Sequence, residues 1–453
     1  MPEGLRFMRK PKRQVVPGQG SRPPWESDVG ASGGETKTPN VDRLTEDGLC
    51  HTNFHAAAAC SPTRSMLLSG TENHKLALEP FYILGLKDAR YLMLMSGKWH
   101  HGLSKDRWFV AKGFDRSYNI LPGAANHYGW EPQLEEQDTL PRPMDDLNPI
   151  PSLPLGPDFY SSDSFAEKMI EYLDSHTNAK RDNPFFAYLA FSAPYWPLQL
   201  RQVRLKALKR LGPVPEHAKP HDVVAPYDVL SKNWNLPTKD EKHFSSCVIE
   251  TYVAMATRMD TCIGRVLDTL RSTSELENTF ILILFMSKNG TEGFLLGCYP
   301  LVQGHIHAYI HRREKSYVWY GPHWASAATA PRWLCRCFAA EGSIRVLLIL
   351  NYLALYADRR EWKGRVIEPM RGKSWPYEHD RVGTVHDEDA VHGWKLFDRK
   401  DIHIGKWKLT WIQEPYGPGR WQLFNLDLYT GETEKLTEVD GDIMGRLMIV
   451  WDE

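Results

Sequence analysis

The chain has 453 residues, enough for about three domains, or for one large domain with an appendage, and enough to bury a sizeable core. Its 55 lysines and arginines balance 56 aspartates and glutamates to a formal net charge of −1, which speaks against a nucleic-acid binder or a polybasic membrane-surface protein. A hydrophobic fraction of 42% beside 25% charged residues excludes a disordered chain.

Residues 1–34 are polar, basic and rich in Gly and Pro; they read as a loose arm. Arg6, Arg9, Lys10, Lys12 and Arg13 are not followed by an apolar run, so this is not a secretory signal. The longest strongly apolar stretch, 346–355, is too short to span a bilayer. A cytoplasmic protein without membrane association is the resulting expectation.

Val41 and Leu44 fit a short helix. Residues 55–60 are small and apolar, as in a buried strand end or a tight loop. Ser61 and Pro62 read as an N-cap and a first-turn proline, opening a helix through Met66, Leu67 and Leu68 to about Gly70. The proline-rich residues 141–157 are an irregular loop. Residues 161–176 form an amphipathic helix with Phe165, Met169, Ile170 and Leu173 on one face. Residues 185–191 read as a buried strand. The clearest helix is 250–271, where Tyr252, Met255, Met259, Ile263, Val266 and Leu270 recur at spacings of three and four. The wholly apolar run 280–286 reads as a strand buried on both faces.

Strands alternating with long helices predict an α/β fold whose large sheet, mainly parallel or mixed, is sandwiched by helices. Beyond about residue 385 shorter strands at 394–397, 406–411 and 421–426, divided by Gly/Pro turns, predict a small C-terminal antiparallel-sheet subdomain. The expected organisation is a basic arm (1–26), an α/β domain (27–384) and the antiparallel subdomain (385–453). In the α/β part, ligands bind at the carboxyl ends of the strands. The polar clusters 60–64, 97–100 and 287–289 fall there.

Seven cysteines stand at 50, 60, 247, 262, 298, 335 and 337. The odd number and the lack of paired zinc spacing argue against a disulfide framework or a zinc site. The sharpest constellation is Ala59-Cys60-Ser61-Pro62-Thr63-Arg64-Ser65. Cys60 immediately precedes a predicted helix N-terminus, where free N–H groups and the dipole favour an anion, and Arg64 adds a forked donor one turn on. The other reading of Cys60 is a buried structural cysteine. Read by themselves, Lys98 is a solvated charge and His100 a histidine with its hydrogen bonds met. His305, His307 and His311 lack a carboxylate at metalloprotease spacing and read as solvated. Asn289-Gly290-Thr291 has the form of a glycosylation acceptor, and 387–389 reads as a solvated acidic run.

Cys-Ser-Pro-Thr-Arg-Ser resembles the sulfatase signature, Cys-x-Pro-x-Arg. Several other segments match that family in the right order. They are Thr38-Pro39-Asn40-Val41-Asp42-Arg43-Leu44, Gly97-Lys98-Trp99-His100-His101-Gly102, residues 192–199, residues 286–293, residues 316–331 with 341–345, and residues 421–436. The likeness runs from about residue 27 to the end and is nearest to the arylsulfatases of the fungal and bacterial kind. It implies that Cys60 is oxidised to formylglycine by a formylglycine-generating enzyme. Arg64 then holds and polarises that group, Lys98 binds sulfate oxygens, and His100 takes the proton whose removal lets sulfate leave. The substrate implied is a small-molecule sulfate ester.

The pattern also breaks. The family places a calcium ion (Ca2+) against the sulfate, with paired aspartates on the first strand and an Asp-Asn pair after a later one. Here the first pair falls near Arg22-Pro23, and the second is Lys288-Asn289, so Asn289 is the metal ligand that survives. Tyr195 stands where the resemblance implies the histidine that protonates the leaving group, and Arg336 where it implies a second sulfate-binding lysine. The implied activity is sulfuric ester hydrolysis of an aryl or small organic sulfate. The alternatives are a pseudo-sulfatase that only binds sulfated or phosphorylated ligands, and a phosphodiesterase or phosphonate hydrolase of the same alkaline-phosphatase-like superfamily.

Overall fold

The computed structural model describes residues 29–30, 34, 36–72, 86–128, 144–146, 148–149, 158–179, 183–195, 198, 238–285, 320–329, 332–351, 361–362, 365–366, 385–429, 431–437 and 440–452. In chain order the first half supplies α1 (Pro39–Asp47), β1 (Leu49–His55), α2 (Cys60–Ser69), β2 (Leu92–Lys98), β3 (Arg116–Ile120), the short β4 (Met144–Asp145) and β5 (Asn148–Pro149), α3 (Ser161–Asn178) and β6 (Phe185–Ala190). The second half supplies α4 (Lys239–Ser272), β7 (Ile281–Phe285), α5 (Pro322–Thr329), the one-turn α6 (Glu341–Ile344), β8 (Arg345–Asn351), the strand pair β9 (Glu361–Trp362) and β10 (Arg365–Val366), then β11 (Val391–Leu396), β12 (Arg399–Ile404), β13 (Trp407–Trp411), β14 (Trp421–Asn425) and α7 (Gly441–Asp452).

The expected α/β architecture is present. One sheet has the order β5-β4-β3-β2-β6. Its heart is parallel, β2 pairing with β3 on one side and β6 on the other, and the short β4 and β5 add antiparallel. A second sheet, β1-β8-β7, is antiparallel. The alternation of β2 shows why helices cover both faces. Met93 and Met95 pack with Leu68 of α2 and with Trp99, Phe109 and Phe114, while Leu94 packs with Phe165, Met169 and Leu173 of α3 and Leu270 of α4. Burying each such side chain stabilises the fold by about 1.5–3 kcal/mol.

Helix α4 carries the predicted periodic stripe but starts before the predicted 250, at Lys239. Its Met259 and Leu267 pack on Val41 and Leu44 of α1. Asp260 of α4 accepts from the Val41 N–H at 2.9 Å and from Asn40 Nδ2 at 2.9 Å, which satisfies free donors at the start of α1. Among the described residues no helix is long and apolar enough to cross a membrane.

The C-terminal sheet is a four-stranded antiparallel meander, β11-β12-β13-β14. Residues 394–397, 406–411 and 421–426 map onto β11, β13 and β14; β12 was not legible in sequence. Its Arg-Lys-Asp-Ile-His-Ile alternation is buried on both sides. Ile402, Leu409 and Leu423 pack on Leu447 of α7. The opposite face carries Asp401, Lys408, Thr410 and Gln422, all buried. A buried polar face mimics a solvent face in sequence, because alternation reports polarity and not exposure.

Candidate active site

Cys60 is the first residue of α2, with Ala59 as its N-cap. The helix therefore starts earlier than the expected Ser61 cap. The Ala59 carbonyl accepts both the Thr63 N–H at 3.2 Å and the Thr63 hydroxyl at 2.9 Å, which closes the first turn around Cys60. The helix ends at Gly70, left-handed at φ +69°, as a C-terminal glycine permits.

Arg64, one turn on, is buried. Its Nη1 donates to the Lys98 carbonyl at 2.9 Å and to the Tyr188 hydroxyl at 2.9 Å. Lys98 is the last residue of β2 and only 2% exposed, so the solvated-charge reading of it fails. The preceding Gly97 has φ +115°, and a Cβ there would lie 2.0 Å from the Ala190 carbonyl; only glycine lets β2 approach β6 so closely at its carboxyl end.

His100 follows with φ +62°, a left-handed conformation that non-glycine residues adopt rarely. Its N–H donates to the Leu121 carbonyl at 3.1 Å, and its ring lies where a Cβ on Gly123 would fall, 2.5 Å from Nε2. Nδ1 is buried without a hydrogen-bond partner. His100 is therefore not the satisfied histidine of the other reading.

Two cations lie against the ring of Tyr195. Lys98 Nζ stands 4.5 Å from its centroid and the Arg336 guanidinium carbon 4.6 Å, both within cation–π range. His127, which the sequence did not single out, braces this segment. Its Nδ1 lies 2.7 Å from Ser161 Oγ, its ring stacks on Tyr160, and the Tyr195 main chain acts to raise its pKa against burial. Nothing in its local sequence marks it, because its partners come from α3 and from a loop far along the chain.

Cys60, Arg64, Lys98, His100, Tyr195 and Arg336 thus meet at the carboxyl end of β2, beside the N-terminus of α2. Asn289 and Lys288, the Arg22-Pro23 position and the three histidines at 305, 307 and 311 lie outside the described residues.

The electrostatics are those of an anion site. Burial pushes the Cys60 thiol up, but the charges of Arg336, Lys98 and Arg64 and a hydrogen bond from Arg336 outweigh it, and the thiol lies below its ordinary value. His100 is pushed down to about 2, first by burial and then by Lys98, Arg64, Arg336 and His101. His101 falls to about 3, from burial and then Arg64 and Lys112. Three buried cations close to one another repel, and a bound anion would relieve that repulsion. Calcium needs carboxylate and carbonyl oxygens. Among the described residues no group of three or more His, Cys, Asp or Glu side chains could hold a metal ion; the positions where the resemblance implies calcium ligands, 22–23 and 288–289, lie outside them. The side chains around Cys60 fit an oxidised residue there: the cysteine is free and its cations suit an oxyanion.

Fold and site together define an α/β protein of hydrolase type with a cluster of buried cations around one cysteine. The family model described as Sulfatase matches residues 19–294. An uncharacterised sulfatase of Schizosaccharomyces pombe is 36% identical over 94% of this chain and 90% of its own length. The arylsulfatase of Klebsiella aerogenes is 29% identical over 67% of this chain and 73% of its own. The crystal structure of Ps i-CgsB in complex with k-i-k-neocarrahexaose shares the fold, with a TM-score of 0.58 at 17% identity over 94% of this chain and 89% of that one. The chain belongs to the sulfatase family, hydrolases of the alkaline-phosphatase-like superfamily.

Proposed function

We propose that this chain hydrolyses an aryl or small organic sulfate ester through formylglycine formed from Cys60 by a formylglycine-generating enzyme. The observation that carries this reading is the convergence of Arg336, Lys98 and Arg64 on Cys60. Formylglycine, when present at position 60, supplies a hydrated aldehyde as the nucleophile toward sulfur.

The chain's own residues divide the remaining work. Lys98 and Arg336 take the equatorial sulfate oxygens, whose charge grows in the transition state. Arg64 holds residue 60 and the Lys98 backbone in one geometry. Tyr195 gives its phenolic proton to the leaving alkoxide or phenoxide. His100 accepts the proton of the remaining hydroxyl, whose removal re-forms the aldehyde C=O and breaks the C–O bond to sulfate. A histidine held near 2 is a poor base; sulfate in the pocket offsets the part of that depression that comes from Lys98, Arg64 and Arg336 and so strengthens it as a base.

The same cations favour a second reading if Cys60 stays a thiol: a chain that binds sulfated or phosphorylated ligands without turnover. A phosphodiesterase or phosphonate hydrolase would use the same groups. The test is hydrolysis of a chromogenic aryl sulfate and an aryl phosphodiester by the full chain, coexpressed with a formylglycine-generating enzyme, beside Cys60→Ala. Aryl sulfate turnover lost in the variant supports the reading, with a Cys60 peptide lighter by the mass of thiol-to-aldehyde conversion. A converted, folded chain without turnover of either ester sinks it, and preference for the diester moves it to phosphorus.

A further inference from the structure

Arg336 sits in a short connection between α5 and α6, flanked by two non-glycine residues in left-handed conformation, Leu334 at φ +63° and Cys337 at φ +73°. Such conformations persist only where the surroundings impose them. The imposing contacts come from two directions. On the side of the nucleophile, the Cys337 N–H donates to the Ala58 carbonyl at 3.2 Å, two residues before Cys60. On the side of the C-terminal sheet, Arg399 at the start of β12 donates through Nη1 to the Cys337 carbonyl. Its guanidinium carbon also lies 4.0 Å from the Phe338 ring centroid and 5.3 Å from that of Tyr416. Arg399 is buried, at 3% exposure.

The end of the same connection is fixed by buried charge. The Glu341 N–H donates to Glu432 Oε2 at 3.0 Å, and Lys408 of β13 meets Glu341, Asp401 and Glu432 at 2.8, 2.9 and 2.9 Å. Trp394 of β11 reaches the other arm, its Nε1 donating to the Ala56 carbonyl at 3.0 Å. The sheet therefore grips both chain segments that meet at residue 60.

We propose that Arg399 is a positioning residue for the site: through the Cys337 carbonyl and the Phe338 ring it holds Arg336 in register with Cys60, so that the C-terminal sheet sets the charge presented to the reactive residue. The proposal rests on the reading that Cys60 is that residue. The groups that face Cys60 are Arg336, Lys98 and Arg64, with His100 and Tyr195 beside them. Of these Arg336 is the one whose chain neighbour, Cys337, accepts from Arg399.

The test uses the full chain produced without a formylglycine-generating enzyme, so that residue 60 remains a thiol and no turnover is needed. Ultraviolet thiolate absorbance is followed against pH, with the trace of the matching Cys60→Ala protein subtracted. Arg336→Gln is expected to raise the Cys60 midpoint by about one unit, tenfold less thiolate on the acid side. Arg399→Gln should raise it in the same direction, and the double variant no further than Arg336→Gln, as for two residues acting in series. Where circular dichroism shows Arg399→Gln unfolded, Arg399→Lys carries the test. It keeps the charge but loses the planar stack, and a smaller rise is expected. A folded Arg399 variant with the parent's midpoint overturns the proposal, as does a shift that adds in full to that of Arg336→Gln. If instead Arg336→Gln leaves the midpoint unmoved, it is the reading of the site that fails.

Discussion

Arg64 donates through Nη1 to the main-chain carbonyl of Lys98 at 2.9 Å, so one cation of the site fixes the backbone of the next. Two like charges are brought together by a neutral acceptor, which needs no carboxylate that would compete with a bound anion.

This arrangement makes Arg64 irreplaceable by lysine. Its Nη1 serves the Lys98 carbonyl and the Tyr188 hydroxyl at once. Arg64→Lys leaves at least one of these buried acceptors unserved and is expected to cost about 1.5–3 kcal/mol. Urea unfolding of the variant measures the loss. Aryl sulfate turnover should fall as well, through the Lys98 position.

Tyr195→Phe keeps the ring against Lys98 and Arg336 and removes the proton donor. A general acid contributes roughly 10²–10⁴-fold, and most where the leaving group is basic. Turnover of an alkyl sulfate should fall by about 10²-fold, and that of a nitrophenyl sulfate by less than about tenfold. Equal losses on the two esters would remove the acid role.

Acid should unfold this protein early. The histidine values fall to about 2 at His100, about 3 at His101, about 4 at His127 and about 4 at His403, burial being the first cause at each. The folded values lie below the ordinary 6.5, so the unfolded chain binds protons first. Stability is full above about pH 6.5 and falls with pH toward the folded values, by about 1.4 kcal/mol per unit for each histidine. Unfolding free energies over this window, for the parent and for His100→Gln, measure it. The variant's slope should be shallower by about one proton.

The buried charge cluster gives a contrast between two of its members. Lys408→Met leaves the buried Glu341 carboxylate without its nearest cation and is expected to cost about 3–5 kcal/mol. Burial, then Glu432 and Glu341, hold Asp401 well above the ordinary carboxylate range in spite of Lys408. Asp401 is thus pushed toward its protonated form. Asp401→Asn imitates that form and should change stability by less than about 1 kcal/mol. Thermal unfolding of both variants decides the matter, and equal losses would show Asp401 ionised.

How much was legible in sequence differs between site and frame. Cys60 to Arg64 lie on one helix turn, and Lys98 to His100 lie at one strand end, so local spacing and the resemblance found them. The resemblance also pointed to Tyr195 and Arg336 inside recognisable segments. His127 and Arg399 were missed. Each meets partners remote in the chain, His127 the Ser161 hydroxyl and the Tyr160 ring and Arg399 the Cys337 carbonyl, and no local pattern encodes such a partner. Strand β12 was missed for a related reason: Asp401 is charged in sequence yet wholly buried.

By itself the sequence determined the family, the α/β class and the C-terminal antiparallel sheet, and through the family resemblance it pointed to Cys60 and the five residues that gather around it. These follow from periodicity and short motifs, which are properties of neighbours along the chain. Only the tertiary structure decided that Lys98 is buried against Tyr195, that His100 is held neutral, and that the C-terminal sheet grips the segment carrying Arg336. Burial and charge are sums over neighbours in space, and the neighbours that set them here come from opposite ends of the chain.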